Sequence, residues 1–262
     1  MTSFDCEAYF KRIGYTGSTA PTLETLRGIH HAQLYTIPFE NFDILMGLGI
    51  SLDSHHIFKK LVRQNRGGYC FELSGLFFDA LTHLGFTLRP LLARVHKTDT
   101  PTGRGHRIEC ITLEGKEWIA DVGHGADTPR CPLPLEMDTE TSHGGLTFRL
   151  KADPVFNTMV QVKKENQWEN LYSFDRTHVC QGDIDYGNHY TATHPDSIFT
   201  QFRVAVLPVE GGNITLFDTA LKQTRGNSSQ GLTLEEGREY LHALKTHFNI
   251  ELPQETAGRV TQ

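Results

Sequence analysis

The hydrophobic pattern of this chain changes its period near residue 86, and that change constrains the fold more than any other feature of the sequence. Before it, apolar residues recur at helical spacing. The clearest predicted helix starts at Cys70 and ends before Gly85, where a helix-terminating glycine belongs. Its apolar face is one continuous row of Leu73, Leu76, Phe77, Ala80, Leu81 and Leu84. Further helices are predicted over 22–35 and from a Ser54 cap through Val62.

After residue 86 the chain consists mostly of short strand-like runs separated by turn residues. A C-terminal helix is predicted over 233–248. The order of helices, then strands, then a mixed end differs from the strand–helix alternation of a doubly wound sheet, so the sequence predicts an α+β protein. The predicted strands are 88–95, 107–113, 117–122, 147–150, 160–163, 169–173, 201–207 and 213–218.

Composition and charge exclude several functional classes. The 262 residues, 38% hydrophobic and 21% charged, are typical of a globular protein with a substantial core. A net charge of -6 argues against a general nucleic-acid binder. No secretory signal or membrane span is expected from the apolar pattern. The five cysteines are widely spaced and form no CxxC pair, so we expect free thiols and a cytoplasmic location.

The run Arg66-Gly67-Gly68-Tyr69-Cys70 leads directly into the clearest helix. Two glycines permit a tight turn, and Cys70 would then lie at the helix N-terminus. There, unpaired N–H groups and the positive end of the helix dipole favour a thiolate and can hold an oxyanion. Cys70 is therefore a candidate nucleophile. The alternative is a buried structural cysteine at a glycine turn.

A hairpin over 107–122 supplies a candidate base and its orienting acid. If Glu114 and Gly115 form a two-residue turn, His106 and Asp121 lie two positions apart in register and project from the same face. Such diagonal neighbours lie about 7–8 Å apart at Cα, which an Asp–His pair can bridge. A three-residue turn would place them on opposite faces. The alternative is a polar pair on a solvated hairpin, but the apolar context of Asp121 favours a partnered carboxylate.

These residues together resemble the arylamine N-acetyltransferase family. The resemblance is strong through about residue 125 and loose after it. It implies that Cys70, His106 and Asp121 are the catalytic residues, and that Glu40 and Arg66 form an ion pair supporting the catalytic loop. The segments that carry it, in family order, are Ile37-Pro38-Phe39-Glu40-Asn41, Arg66-Gly67-Gly68-Tyr69-Cys70, His106 and Ala120-Asp121-Val122-Gly123.

The same resemblance implies a fold and a reaction. The fold has an N-terminal helical bundle (1–86) with the nucleophile, a β-barrel-like region (87–193) with the His and Asp, and an α/β lid region (194–262), as in papain-like cysteine enzymes. The reaction is ping-pong: acetyl-CoA, a co-substrate rather than a bound cofactor, acetylates the cysteine. An arylamine, arylhydroxylamine or hydrazine, often a xenobiotic, then takes the acetyl group, and the histidine transfers protons in both halves.

The resemblance also suggests where CoA binds. Gly103 and Arg104, just before the catalytic histidine, and Gly125, in the turn after Asp121, would border the pantetheine route. Arg104 either meets a phosphate or is an exposed loop charge.

The acceptor pocket would include Phe39, His124 and Phe202, and Phe199 is a further candidate, although phenylalanines on strands are more often core. His124 departs from the family, which usually has phenylalanine between these two glycines. A histidine is more polar and can titrate near neutral pH. We therefore expect acceptor preference to differ, with His124 either contacting the acceptor, supporting the site or exposed.

Other motifs point to no competing chemistry. The sequence has no complete dinucleotide loop, Walker motif, Gly-x-Ser-x-Gly elbow or HExxH, and the pairs His30-His31 and His55-His56 lack helical metal-ligand spacing. No metal is expected. Two alternatives remain open: a papain-like or transglutaminase-type enzyme with the same triad, and an inactive binding protein. Acetylation of Cys70 by acetyl-CoA, with release of CoA, would distinguish an arylamine N-acetyltransferase from both alternatives.

Overall fold

The computed structural model describes residues 4–97, 100–253 and 257–260. Parts of the predicted first and third regions, 1–3, 254–256 and 261–262, lie outside the described residues. None of the helices in the described ranges combines the length and the apolar character needed to cross a membrane.

The first region is helical, as predicted, with one short strand. Thr22 caps the second helix through the N–H of Thr25. Asp53, and not Ser54, caps the fourth, because its carboxylate accepts the N–H groups of His55 and His56, each at 3.1 Å. A π-helical turn, Lys59–Arg63, follows. The elements are α1 (Cys6–Ile13), α2 (Leu23–Leu34), β1 (Phe39–Glu40), α3 (Phe42–Leu45), α4 (Ser54–Phe58) and α5 (Cys70–His83).

Helix α5 is the predicted nucleophile helix, and its apolar face is the centre of the largest core cluster. The helix begins at Cys70, where the Glu72 carboxylate accepts the N–H of Tyr69 at 3.1 Å. Gly85 lies just past the end with φ +83°, a left-handed conformation that glycine adopts without strain. The helix and its glycine stop are therefore confirmed.

The central region is an eight-stranded antiparallel sheet in the order β5-β4-β3-β2-β9-β8-β7-β6. A bridge between Met137 and Leu150 brings the segment after β5 against β7, so the sheet curls into a nearly closed barrel around its own apolar core. The strands are β2 (Thr87–Val95), β3 (His106–Leu113), β4 (Lys116–Ala120), β5 (Leu133–Pro134), β6 (Thr141–His143), β7 (Leu146–Asp153), β8 (Asn157–Lys164) and β9 (Gln167–Phe174).

The hairpin between β3 and β4 has the predicted two-residue turn. Leu113 pairs with Lys116 across it. Glu114 and Gly115 both have positive φ, +50° and +76°, as a type I′ turn requires. The register therefore places the candidate base and acid on one face.

The last region consists of a small sheet with helices before and after its strands in the chain. Its five-stranded sheet has the order β1-β10-β11-β12-β13, so the strand at Phe39 belongs to it. Two predicted bounds were wrong. Gln201 ends a helix instead of starting a strand, and Thr233 ends a strand, because Gly237 precedes the last helix. The elements are α6 (Gln181–Thr193), α7 (Ile198–Gln201), β10 (Val204–Val209), β11 (Gly212–Phe217), β12 (Ala220–Arg225), β13 (Ser228–Thr233) and α8 (Arg238–Phe248).

Candidate active site

Cys70 is held at the start of α5 by the glycine turn before it. The Cys70 side chain is buried, and Sγ lies 3.7 Å from the carbonyl oxygen of Gly105. A Cβ on Gly67 would lie 2.3 Å from the carbonyl oxygen of Pro38, a distance that no side chain tolerates. The N–H of Glu40 also bonds to the carbonyl of Gly68 at 2.9 Å. The turn is therefore clamped against β1, and this fixes the position of the sulfur.

His106 and Asp121 form the predicted pair. Nε2 of His106 lies 2.8 Å from Oδ2 of Asp121, and the other carboxylate oxygen accepts the N–H of Gly123 at 2.8 Å. Burial disfavours charge on both side chains. Their mutual attraction and hydrogen bond outweigh it, so the pKa of His106 is raised and that of Asp121 is lowered. A hydrogen bond with the Cys70 thiol also contributes to the raised pKa of His106. The pair is therefore charged inside the protein.

His30 on α2 holds the backbone of Asp121 in place. Its Nε2 donates to the backbone carbonyl of Asp121 at 2.8 Å. The ring is fully buried, and burial lowers the pKa of His30 to about 4, so it is a neutral donor. Sequence reasoning placed His30 on a helical face and considered it only as a metal ligand. No sequence signal connects it to Asp121, since 91 positions separate them.

The predicted ion pair between Glu40 and Arg66 is present and buried. Nε and Nη2 of Arg66 lie 2.9 and 2.7 Å from Oε1 of Glu40, and Nη2 also bonds to Asp43 at 2.8 Å. Lys60 extends this network, because its Nζ lies 2.7 Å from Asp43 and 2.8 Å from Glu72. Glu72 is the side chain that caps α5, so the network links the glycine turn before Cys70 to α5.

A cavity of about 560 Å³ opens beside the sulfur of Cys70. Several predicted binding residues line it, which places candidate donor and acceptor groups next to the nucleophile. They are Phe39, Gly103, Arg104 and His124, together with His106.

Two predicted binding residues are not among those that line this cavity. Gly125 lies in the turn beyond it, with φ +89°. Phe202 packs on Phe217 instead, with ring centroids 4.9 Å apart. Phe199 lines the cavity and contacts Phe39 at 5.6 Å. The reason is the local structure: α7 turns Phe199 towards the cavity, whereas the prediction assumed a strand at 201–207.

Arg104 has a carboxylate partner of its own. Its guanidinium pairs with Asp175 at the cavity wall, and the side chain is partly exposed. Lys97 also lines the cavity, and sequence reasoning missed it. Asp183 and Asp196 line the cavity as well, so its lining carries charge of both signs.

Helix α6 forms the other wall and was not predicted. Tyr186 and Tyr190, one turn apart, line the cavity from it. The backbone approaches closely at Gly187, where a Cβ would lie 2.8 Å from the carbonyl oxygen of Arg104. The helix is polar with few buried side chains, so its sequence carries little helical periodicity.

His124 is buried beside the His106–Asp121 pair and is therefore not an exposed residue. Its ring centroid lies 5.1 Å from that of His106 and 5.0 Å from that of Tyr172. Burial, together with the charge of His106, lowers the pKa of His124 to about 3. The expectation that it titrates near neutral pH was therefore wrong. Its Nε2 is a buried atom that finds no hydrogen-bond partner in the described chain.

Among the described residues, one group of three side chains could hold a metal ion. Its members are His106, Asp121 and His124, whose ligand atoms lie within 4.8 Å of one another. Two of the three are already paired in the Asp–His contact, so the geometry serves proton transfer. The absence of a metal stays a prediction.

The arrangement as a whole suits covalent acyl transfer. A cysteine, a hydrogen-bonded histidine and an orienting carboxylate meet at the wall of a cavity, which is the pattern of an activated nucleophile. The N–H groups at the start of α5 are next to Cys70, and unpaired N–H groups at a helix N-terminus can stabilise an oxyanion.

Comparison with known proteins gives consistent matches. A protein-family model described as N-acetyltransferase matches residues 22–257. The arylamine N-acetyltransferase of Escherichia coli K12 is 38% identical over 214 residues, 79% of this chain and 75% of the relative. The arylamine N-acetyltransferase / N-hydroxyarylamine O-acetyltransferase of Salmonella typhimurium LT2 is 40% identical over 223 residues, 82% and 77% of the two chains.

Solved structures match over nearly the whole chain. The Salmonella typhimurium arylamine N-acetyltransferase superposes with a TM-score of 0.93 at 31% identity, covering 100% of this chain and 98% of the other. The Mycobacterium marinum arylamine N-acetyltransferase in complex with CoA gives a TM-score of 0.90 at 30% identity, covering 98% of each chain.

Proposed function

Because the chain belongs to the arylamine N-acetyltransferase family, we propose that it transfers the acetyl group of acetyl-CoA to small aromatic amines, arylhydroxylamines or hydrazines. The observation that carries the proposal is the buried hydrogen bond between His106 and Asp121, with His106 lining the same cavity as Cys70. The enzyme would work by a ping-pong mechanism through acetyl-Cys70.

In the first half-reaction Cys70 attacks the thioester. The raised pKa of His106 keeps its ring protonated, so a Cys70 thiolate has a positive counter-charge beside it. The sulfur forms a bond to the acetyl carbon, and the N–H groups at the start of α5 hold the oxyanion. The bond to the CoA sulfur then breaks, and His106 gives its proton to that sulfur as CoA leaves.

In the second half-reaction the amine attacks acetyl-Cys70. His106, now neutral, accepts the proton of the attacking nitrogen, and the bond between Cys70 and the acetyl carbon breaks. This regenerates the thiolate and the protonated ring. Asp121 stays charged throughout and fixes the ring orientation, helped by the N–H of Gly123 and by His30.

We place CoA along the wall that carries Gly103, Arg104 and Lys97. The M. marinum relative was solved in complex with CoA, and the basic residues of this wall suit its phosphates. Gly125 would not contact CoA directly but would shape the turn after Asp121. The acceptor would then bind against Phe39 and His124. All five cysteines are free thiols, which supports a reducing cytoplasmic location.

Activity of purified protein on acetyl-CoA with a panel of aromatic amines and hydrazines tests the proposal. We expect acetylated amine and free CoA in equal amounts, both abolished in Cys70→Ala, with the circular dichroism spectrum unchanged. Cys110→Ala is the matched control, because Cys110 is equally buried but lies in the barrel core. Turnover in Cys70→Ala, or peptide hydrolysis without use of acetyl-CoA, would contradict the proposal.

A further inference from the structure

The cavity contains a polar group that the acetyl-transfer mechanism does not use. His124 lines the cavity with Cys70 and His106, and its ring is 5.1 Å from that of His106. The side chain is 8% exposed, and its buried Nε2 has no hydrogen-bond partner in the described parts of the chain. A buried polar atom without a partner costs free energy, so binding a group that hydrogen-bonds to His124 would be favoured.

The charge state of His124 decides what it can bind. Burial lowers its pKa to about 3, so the imidazole is neutral at physiological pH. A neutral imidazole offers one N–H donor and one nitrogen acceptor. The χ2 angle of histidine has two broad wells, so the ring can turn to present a nitrogen to the cavity. It suits a hydroxyl, amide or carbonyl group better than a hydrocarbon.

Distance then limits where that group lies on the acceptor. The attacking nitrogen must come within about 2.6–3.2 Å of His106 for its proton to be transferred. Because the two rings are 5.1 Å apart, an acceptor whose nitrogen reaches His106 also lies beside His124, and a polar atom near that nitrogen is within reach of the second imidazole. We therefore expect that atom to lie within one to three bonds of the attacking nitrogen.

Resting on the acetyl-transfer function proposed above, we propose that His124 selects acceptors that carry a second hydrogen-bonding atom one to three bonds from the attacking nitrogen. Hydroxylamines, acyl hydrazides and ortho-hydroxyanilines have this arrangement, whereas simple anilines and para-substituted anilines lack it. An acceptor with the second atom satisfies His124, and one without it leaves a polar group buried and unpaired, which is how sites reject analogues.

Two isomeric acceptors test this selection directly. In 2-aminophenol the hydroxyl is close to the amine, and in 4-aminophenol the same hydroxyl is at the far end of the ring. The measured quantity is the ratio of kcat/KM for the ortho isomer to that for the para isomer. It is compared in the wild type, in His124→Phe, which keeps an aromatic ring without nitrogen, and in His124→Gln, which keeps hydrogen-bonding atoms. The ratio of ratios cancels the intrinsic reactivity of the two amines.

We expect the ortho:para ratio to fall at least tenfold in His124→Phe and to be partly restored in His124→Gln. The inference is overturned if the ortho:para ratio in His124→Phe changes by less than threefold. It is also overturned if His124→Gln lowers the ratio as much as His124→Phe does. Should His124→Phe fail to fold, two other measurements decide: the ortho:para ratio in His124→Gln, and kcat/KM of the wild type for benzoic hydrazide compared with 4-methylaniline. A wild type that shows no preference for the hydrazide overturns the inference. Failure of the proposed function looks different, because then acetyl-CoA acetylates neither Cys70 nor any acceptor.

Discussion

Replacing Arg66 by methionine should lower the free energy of unfolding by about 3–5 kcal/mol, because it leaves a buried carboxylate without its counter-ion. Arg66 gives two hydrogen bonds to Glu40, at 2.9 and 2.7 Å, and one to Asp43 at 2.8 Å. The Glu40 side chain is 0% exposed. Methionine keeps most of the apolar stem, so the loss is electrostatic. Glu40 would retain one donor, the N–H of Phe42 at 2.8 Å.

Urea unfolding followed by circular dichroism measures this cost. Arg63→Met is the matched control: Arg63 pairs with Asp5 on the surface, with side chains 56% and 44% exposed, so its midpoint should hardly move. The double variant Arg66→Met/Glu40→Gln has no unpaired carboxylate at position 40. Its free energy of unfolding should therefore be at least about 1 kcal/mol higher than that of Arg66→Met. The reasoning is refuted if Arg66→Met costs no more than Arg63→Met, or if Glu40→Gln adds its full separate cost.

Three further predictions concern Asp121 and the residues around it. Asp121→Asn should slow acetyl transfer by about 10⁴-fold, as in a comparable triad; a loss under tenfold in steady-state rate would make it a structural residue only. Gly123→Ala should slow acetylation of Cys70 in single-turnover assays, since the new Cβ would lie 2.9 Å from the Cys70 Cα; an unchanged rate would show that the contact relaxes freely. His30 and His124 have pKa values lowered by burial to about 4 and about 3, so they bind protons in the unfolded chain below about pH 6.5 but not in the folded protein. Their contribution to stability is therefore present above pH 6.5 and is lost as pH falls towards 4. In urea unfolding, His30→Leu should make the free energy of unfolding depend less steeply on pH in this range. An unchanged pH dependence would exclude His30 as its source.

The parts of the site that sequence could predict are those set by local rules. A regular apolar period and a glycine stop define α5, and two residues suited to positive φ define the hairpin turn. Once that turn is fixed, the period of the strands places His106 and Asp121 on one face. The contact between His106 and Asp121 was therefore predictable without knowledge of the tertiary structure.

The parts that sequence could not predict depend on contacts between distant segments. His30 reaches Asp121 across 91 positions, and neither residue carries a local sign of the other. Asp43 and Lys60 join the network of Arg66 in the same way. Tertiary packing alone determines such partners.

Weak local patterns explain the remaining errors. Helix α6 has few buried side chains, so no apolar face marks it, and with it the Tyr186 and Tyr190 wall of the cavity was missed. The strand predicted to start at Gln201 starts at Val204, and of the two candidate phenylalanines Phe199 lines the cavity whereas Phe202 packs on Phe217. The sequence allowed His124 to titrate near neutral pH, since nothing local shows its burial. Only the folded structure shows that the side chain is buried.

Mass spectrometry of the intact protein, incubated with acetyl-CoA in the absence of an acceptor, tests the central claim most directly. The account predicts a gain of one acetyl group, located by peptide mapping on Cys70 and lost when an aromatic amine or hydrazide is added. A protein that stays unmodified while acetyl-CoA is intact, or that carries the acetyl group on another residue, would contradict it.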